Sequence, residues 1–260
     1  MKDVQKQLDN RKISINEVGI TNLKIPLYFP SNKKNQLVIA DITMGANLPA
    51  HQKGTHMSRF AQIATEIANS KLDEKLIKKV LQKTKDELKS DFAKVEFSFL
   101  LFLAKSSPIS KNKSFMDYDC KIVGELGQNN IPWYSMEISV PIATLCPCSK
   151  EISRHGAHNQ RADVVLKLKA HTYISPIEVI QLIEKTASSA LCAILKREDE
   201  KFVTEKMYEN PKFVEDVVRD VALWAKKDKR ITTFQVQCIS YESIHNHNAY
   251  AIIINNKKPC

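Results

Sequence analysis

The stretch Trp133–Leu145, WYSMEISVPIATL, decides the class of fold because its apolar and polar residues alternate. The apolar side chains fall on one side of this stretch, namely Tyr134, Met136, Ile138, Val140 and Ile142. The polar ones fall between them, at Ser135, Glu137 and Ser139. Successive side chains of a β-strand point to opposite faces, so this pattern predicts a strand.

Outward from this strand, strands and helices follow one another in a repeated order. In the first half we predict strands at 20–29, 37–48, 92–103 and 116–126, and a helical region at 58–88 with a break near 70–73. In the second half we predict strands at 162–170, 231–241 and 248–255, a helix opened by Ser175-Pro176 with an apolar face reaching Ile194, and a helix at 211–226. Each half therefore reads strand–strand–helix–helix–strand–strand.

Short links between consecutive strands favour antiparallel pairing over a parallel sheet. We predict an α+β protein of two modules, residues 1–128 and 129–260, in which helices cover one face of each antiparallel sheet. If the other sheet face is apolar, it too must be covered, which predicts that subunits pack together.

The composition excludes several classes of protein. The chain has 260 residues, of which 43% are hydrophobic and 26% charged, as is ordinary for a soluble globular protein. The longest nearly apolar stretch, 97–104, is far short of the ~18–20 residues of a membrane span. The polar start of the chain does not resemble a secretory signal, so we expect a cytoplasmic protein without a membrane partner.

The net charge and the glycine content limit which ligands the protein is expected to bind and how it can bind them. The net charge of +10 indicates either a solvated lysine-rich surface or an anionic partner, such as nucleic acid or a phosphorylated small molecule. None of the six glycines belongs to a dinucleotide-binding fingerprint or a P-loop. A bound nucleotide would therefore be held in another way.

The loop 146–161, CPCSKEISRHGAHNQR, concentrates two cysteines, two histidines and three basic residues. Cysteine and histidine are preferred ligands of zinc-like ions, so a metal site explains the mixture. A basic loop with inert thiols stays open as an alternative. A Cys146–Cys148 disulfide would be strained and is not expected in a reducing cytoplasm. A C-x-C pair rarely supplies two ligands to one tetrahedral site, so one cysteine can bind metal while the other does not.

A second loop, 241–247, reads YESIHNH and lies between the last two predicted strands. Loops at equivalent strand ends of an α+β module converge, so His245 is a further candidate metal ligand. For His247 a simple turn role is the first interpretation. The acidic run 197–201 is either a solvated face or the source of a carboxylate ligand.

A third loop, 53–59, reads KGTHMSR and precedes the first long helix. Cations and backbone N–H groups at a helix N-terminus form an anion site. Ser58 could equally be a helix cap, and Lys53 and Arg59 could be surface charge.

Taken together, these motifs resemble the GTP cyclohydrolase type IB family. The resemblance rests on LCPCSKEIS and GAHNQR, ESIHNHNAYA, KGTHMSRF, YENPKFVED and REDEKFVTE, and it runs over nearly the whole chain. It implies the tunnelling fold, with two such modules per chain and a homotetramer whose active sites lie at subunit interfaces. It also implies conversion of GTP and water to 7,8-dihydroneopterin triphosphate and formate. That reaction opens tetrahydrofolate biosynthesis and, in many bacteria, the route to queuosine-type deazapurines.

The resemblance also assigns roles to residues. It implies one divalent ion per active site, zinc, manganese or iron, with the ligands Cys146, His158, Glu200 and His245. Cys148 would lie beside the metal, and Glu215 would be a buried glutamate that grips the guanine edge through a bidentate, charge-assisted pairing. Proton transfer would fall to His158, His247 or Glu242. The groups we expect near the triphosphate and the rest of the substrate are Lys53, His56, Arg59, Lys150, Arg154, Gln160 and Arg161.

Two other functions stay open at this point. One is another tunnelling-fold enzyme, such as a nitrile reductase acting on a deazapurine, which uses a thiolate nucleophile and NADPH and needs no metal. The other is a metal-stabilised nucleic-acid-binding protein, which would fit the net charge. The Cys/His cluster of 146–161 argues against both, so we expect GTP and no nucleic acid as partner.

Overall fold

The computed structural model describes residues 4–5, 7–31 and 35–256. Its strands are β1 (Ile15–Phe29), β2 (Gln36–Leu48), β3 (Ala93–Ser106), β4 (Lys113–Leu126), β5 (Pro132–Leu145), β6 (Asn159–Ala170), β7 (Ser189–Ala190), β8 (Ile231–Ser240) and β9 (Ala249–Asn256). Its helices are α1 (Met57–Glu66), α2 (Glu74–Leu88), α3 (Pro147–Ile152), α4 (Pro176–Thr186), α5 (Arg197–Glu209) and α6 (Val214–Lys227). Within the described ranges, no helix is long and apolar enough to cross a membrane.

The predicted α+β class is confirmed, and the first half of the chain follows the predicted order ββααββ. The predicted helix break falls between α1 and α2, where the Asp73 side chain accepts a hydrogen bond of 3.0 Å from the backbone N–H of Leu76. This bond caps α2 and fixes where the second helix begins. The helix α1 begins at Met57, so Ser58 lies inside it and is not its cap.

The chain divides into two compact units, the first made of residues up to 100 together with 121–135 and 171–173. In this unit β1 pairs antiparallel with β2, and β2 with β3. Buried side chains of the strands, such as Leu27 and Ile42, form a core with Phe60 and Ile77 of the helices. The helix α2 lies so close to β4 that a Cβ at Gly124 would come within 2.4 Å of Ile77 Cγ2.

The second unit contains residues 101–120, 136–170 and those from 174 onward. Here β5, β6, β8 and β9 are successive neighbours in the sheet. The helix α6 packs against β8 and β9, with Val217, Val218 and Val221 buried. The module boundary at residues 128 and 129 stays a prediction.

Strand register brings the two chemically rich loops of this unit to the same end of the sheet. Ser240, at the end of β8, lies between Ala162 near the start of β6 and Ala249 at the start of β9. The loop 146–158 joins β5 to β6, and the loop 241–248 joins β8 to β9. Antiparallel pairing therefore places both loops at one sheet edge.

The second half departs from the predicted order in several places. The helix opened by Pro176 ends at Thr186 and does not continue to Ile194, because Ser189–Ala190 leaves the helix and pairs with β5. The helix α6 begins at Val214, three residues later than predicted. The additional elements are α3, β7 and α5, and the last of them contains the acidic run that the sequence alone did not identify as helical.

Candidate active site

A cavity of about 290 Å³ lies at this end of the sheet in the second unit. Its volume is near the lower bound of about 300–1,000 Å³ that is usual for small-molecule sites. Seven of the residues predicted for the site line it: Cys146, His158, Gln160, Glu215, Glu242, His245 and His247. The fold therefore brings together residues that are up to 101 positions apart in the sequence.

Cys146 and His158 share one wall because backbone hydrogen bonds join the two ends of their loop. The N–H of Cys146 donates to the carbonyl oxygen of His158 at 3.1 Å. The N–H of His158 donates to Ser149 Oγ at 3.0 Å. Cys146 Sγ in turn accepts from the N–H of Ser149 at 3.4 Å. A thiol and an imidazole are thus held on the same wall by contacts within the loop.

The ring of His158 is oriented by a chain of polar contacts. His158 Nδ1 lies 2.9 Å from Gln160 Oε1, and Gln160 Nε2 lies 3.2 Å from Thr144 Oγ1. With the amide oxygen as acceptor, Nδ1 is the donor of this contact, and in the neutral imidazole Nε2 then keeps its lone pair. This is the usual way in which a histidine ligand is prepared for a metal. Gln160, expected to touch substrate, therefore has a positioning contact as well.

The loop 241–248 is fastened to β6 at its first residue. The N–H of Tyr241 donates to the carbonyl oxygen of Arg161 at 2.9 Å, and its hydroxyl donates to Asp163 Oδ2 at 2.6 Å. This hydroxyl–carboxylate bond raises the pKa of Tyr241. Farther along the loop, the rings of His245 and His247 stack with centroids 5.1 Å apart and planes at 11°.

The start of α6 and the residues just before it form another part of the cavity lining. Lys212 is tied to the end of β5 because its backbone N–H donates to the carbonyl oxygen of Leu145 at 3.0 Å. Its ammonium group pairs with Asp220 at 2.8 Å. Glu215 lies in the first turn of the helix and is exposed in this chain, whereas the resemblance implied a buried glutamate.

Sequence reasoning missed several residues of the cavity wall. They are Thr144, Lys212, Phe213, Val214, Ser240, Ala249 and Tyr250. Lys212, Phe213 and Val214 belong to the YENPKFVED motif, and Ala249 and Tyr250 to ESIHNHNAYA, so both motifs held the signal. Ser240 carries no such signal, because only the register of β8 places it at the cavity.

Glu200, implied as a metal ligand, is exposed on α5 and is not among the residues that line the cavity. Its neighbour Asp199 is fully buried and accepts hydrogen bonds from the backbone of Ile109, Ser110 and Lys196. Among the described residues, no group of three or more Cys, His, Asp or Glu side chains is placed to hold a metal ion. The donor types on the cavity wall nevertheless suit one, since a cysteine sulfur, imidazole nitrogens and the carboxyl group of Glu242 are all present.

The predicted phosphate-binding cations lie elsewhere. Lys53, His56 and Arg59 belong to the first unit, where Arg59 donates to the carbonyl oxygen of Glu87. Lys150 donates to the carbonyl oxygen of Tyr208 at 2.5 Å, and its ammonium group lies 4.5 Å from the centre of that ring. Arg154, Arg161 and Cys148 are exposed, and none of the predicted cations lines the described cavity.

Comparison with known proteins identifies the family. A family model described as type I GTP cyclohydrolase FolE2 matches residues 1–251. The chain belongs to this family. A GTP cyclohydrolase FolE2 of Thermosipho melanesiensis is 46% identical over 97% of each chain. The FolE2 protein of a Neisseria meningitidis serogroup C strain is also 46% identical, over 96% of this chain and 84% of the relative.

Solved structures extend the likeness of this FolE2 family member to the fold. The uricase of Arthrobacter globiformis matches 94% of the chain and 95% of its own with a TM-score of 0.50 and 9% identity. A highly active BTUO mutant matches 93% of the chain and all of its own with a TM-score of 0.52 and 7% identity. At such low identity these matches concern the fold alone, and they confirm the predicted tunnelling fold.

Proposed function

We propose that this chain is a metal-dependent GTP cyclohydrolase, which converts GTP and water to 7,8-dihydroneopterin triphosphate and formate in the first step of tetrahydrofolate biosynthesis. The observation that carries the proposal is that one cavity gathers Cys146, His158, Glu242 and His245. It does so in a chain that is 46% identical to proteins named GTP cyclohydrolase FolE2. Because its substrate is GTP, we expect the enzyme to act in the cytoplasm.

We infer that one divalent ion, zinc, manganese or iron, binds to Cys146, His158 and His245. Glu242 is the fourth ligand that the cavity favours, because it lies on the wall and Glu200 does not. When bound, such an ion lowers the pKa of a coordinated water towards ~7 and so supplies hydroxide at neutral pH.

The protein's own residues hold the base and move protons. The carboxylate of Glu215 can accept from the ring N–H and the amino group of the guanine edge, a pairing that also fixes the orientation of the base. His247 also lines the cavity, and we propose that it delivers protons to the imidazole nitrogens of the purine during ring opening. The contact with Gln160 occupies the Nδ1 atom of His158, so Nε2 is the nitrogen left to bind the ion.

A second subunit would complete the site. The predicted triphosphate cations Lys53, His56 and Arg59 do not line the described cavity, so we propose that they reach it from a neighbouring chain in a homotetramer. Exposed apolar side chains support subunit packing: Leu37 and Ile39 on β2, and Ile252 and Ile254 on β9. In the described part of the chain β9 pairs with β8 alone, which leaves one strand edge available for another subunit.

The decisive experiment is to incubate the protein, reconstituted in turn with manganese, iron and zinc, with GTP and to follow pterin fluorescence and formate. We expect both products, and we expect Cys146→Ala to lose both the bound metal and more than about 100-fold of the activity. The matched control is Cys192→Ala, which removes a half-buried thiol that does not line the cavity and should keep both the metal and the activity.

Formation of neither product with any of the three metals would contradict the proposal. NADPH oxidation with a deazapurine nitrile, undiminished by chelation, would instead favour the nitrile reductase. Salt-dependent binding of nucleic acid without GTP turnover would favour the binding protein.

A further inference from the structure

The cavity wall contains one buried polar group to which the proposed chemistry gives no role. Ser240 is 1% exposed, it lines the cavity, and its Oγ atom has no hydrogen-bond partner among the described residues. Buried hydroxyl groups in folded proteins are nearly always hydrogen-bonded, because an unmade bond costs free energy. At the wall of a cavity, such a hydroxyl is available for a bond to a ligand.

The surroundings of Ser240 suit a flat ligand. Along β8, which packs against α6, the side chains of Phe234, Val236, Cys238 and Ser240 are buried at alternate positions, so the serine stands where this apolar row ends. Its partners on the two neighbouring strands are Ala162 and Ala249. Ala249 also lines the cavity, and its small side chain leaves room there for a planar group to approach the sheet, whereas Ala162 is fully buried.

Glu215, in the first turn of α6, lies close enough to the same row of side chains to influence Cys238 electrostatically. The pKa of Cys238 is raised to about 12, first by burial and then by the nearby carboxylates of Asp163 and Glu215. Cys238 precedes Ser240 by two residues on the same strand face. A base held by Glu215 would therefore lie over the end of this row.

We propose that Ser240 binds the purine base of the substrate, donating its hydroxyl hydrogen to a ring nitrogen or carbonyl oxygen beside the edge that Glu215 grips. This inference rests on the proposed function and adds a specificity-determining residue to it. Rotation about χ1 moves a serine hydroxyl among three staggered positions, so Oγ can turn towards the base without backbone movement.

The chain offers a matched control in Ser114. This serine is 6% exposed, and its Oγ also lacks a partner in the described part of the chain, but it does not line the cavity. We expect Ser240→Ala to raise the KM for GTP, and the Kd for guanosine, about tenfold, with kcat changed less than about twofold. Ser114→Ala should leave all three values unchanged.

Two further measurements separate this role from others. Removal of a hydroxyl that stabilises the fold would lower the Tm, whereas we expect an unchanged or higher Tm for Ser240→Ala, because its hydroxyl makes no bond in the unliganded protein. Inorganic tripolyphosphate, which lacks the base, should inhibit the variant and the parent protein equally.

Unchanged guanosine affinity in Ser240→Ala would overturn the inference while leaving GTP turnover by the parent protein intact. Weaker tripolyphosphate inhibition with unchanged guanosine affinity would overturn the assignment to the base. If the parent protein neither binds guanosine nor converts GTP with any of the three metals, the proposed function itself fails, and this inference fails with it.

Discussion

At the scale of single residues, the cavity depends on how a few side chains are oriented. The loop 146–161 holds Cys146 and His158 through its own backbone, and the contact with Gln160 sets which nitrogen of His158 can bind. The thiol and imidazole groups could be predicted, because Cys and His in that density have few other uses. Ser240 could not be predicted, because a serine at a strand end is ordinary until the register places it beside a cavity.

The contact between Gln160 and His158 makes a first prediction. Gln160→Leu removes the acceptor for His158 Nδ1, so the ring is no longer fixed in the tautomer that leaves Nε2 unprotonated. We expect metal affinity to fall about 10–100-fold, as for other partners that orient a metal ligand. Titration of the apo protein against a metal-binding dye measures this effect.

Gln160→Glu is the matched control for this prediction, because it keeps an oxygen acceptor at the same place. Its metal affinity should stay within about threefold of the parent value. Equal metal affinity in the leucine variant and the parent would show that the contact does not orient the ligand.

At the scale of elements, α5 shows what a one-dimensional pattern leaves out. The acidic run at its start looks like a solvated face, and Glu198 and Glu200 are indeed exposed. Asp199 between them is buried and binds the β3–β4 loop, a contact across about ninety residues that no local pattern contains. In the same way, the apolar spacing that continues after α4 hides the strand β7, because pairing with β5 decides the conformation there.

Asp199 carries the second prediction. Burial alone would raise its pKa, but hydrogen bonds from Ser110, Lys196 and Ile109 outweigh burial and lower the pKa below the ordinary value of 3.8. The carboxylate therefore contributes stability above about pH 4, and this contribution is lost as the pH falls through the lowered pKa.

Asp199→Ala leaves the two backbone N–H groups of the β3–β4 loop and that of Lys196 without this acceptor. We expect the Tm at pH 7 to fall by at least about 5 °C, with a smaller difference from the parent at pH 3. Glu198→Ala, an exposed change in the same helical turn, should shift the Tm by less than about 1 °C. Equal Tm values for the two variants would contradict this role of Asp199.

At the scale of the whole molecule, the ββααββ order of the first half and the long strands of the second could be predicted, because alternation and helical spacing are strong local signals. The gathering of the site could not be predicted from them. It follows from antiparallel register in the second unit, which sets Ala162, Ser240 and Ala249 side by side and so brings two distant loops to one edge. The resemblance to a family predicted which residues share the site, because the family's motifs occur in this chain.

Two buried thiols lead to a prediction about how the stability of the whole protein depends on pH. Burial raises the pKa of Cys120 and of Cys238 from 9.0 to about 12. In the unfolded chain both thiols lose their protons near pH 9, whereas the folded protein keeps them protonated up to about pH 12. Unfolding therefore releases protons above pH 9. The contribution of both thiols to the free energy of unfolding is complete below pH 9 and is lost as the pH rises from about 9 towards 12.

Between pH 8 and pH 10.5 this difference lowers the free energy of unfolding by about 2 kcal/mol per thiol. Urea unfolding at the two pH values measures this effect. Over this interval the free energy of unfolding should fall by about 4 kcal/mol less in the double variant Cys120→Ala, Cys238→Ala than in the parent. The exposed thiol Cys148 provides the control, since Cys148→Ala should keep the parent's full pH dependence. If the double variant keeps it too, the alkaline loss of stability arises elsewhere in the fold, and the buried thiols are not its source.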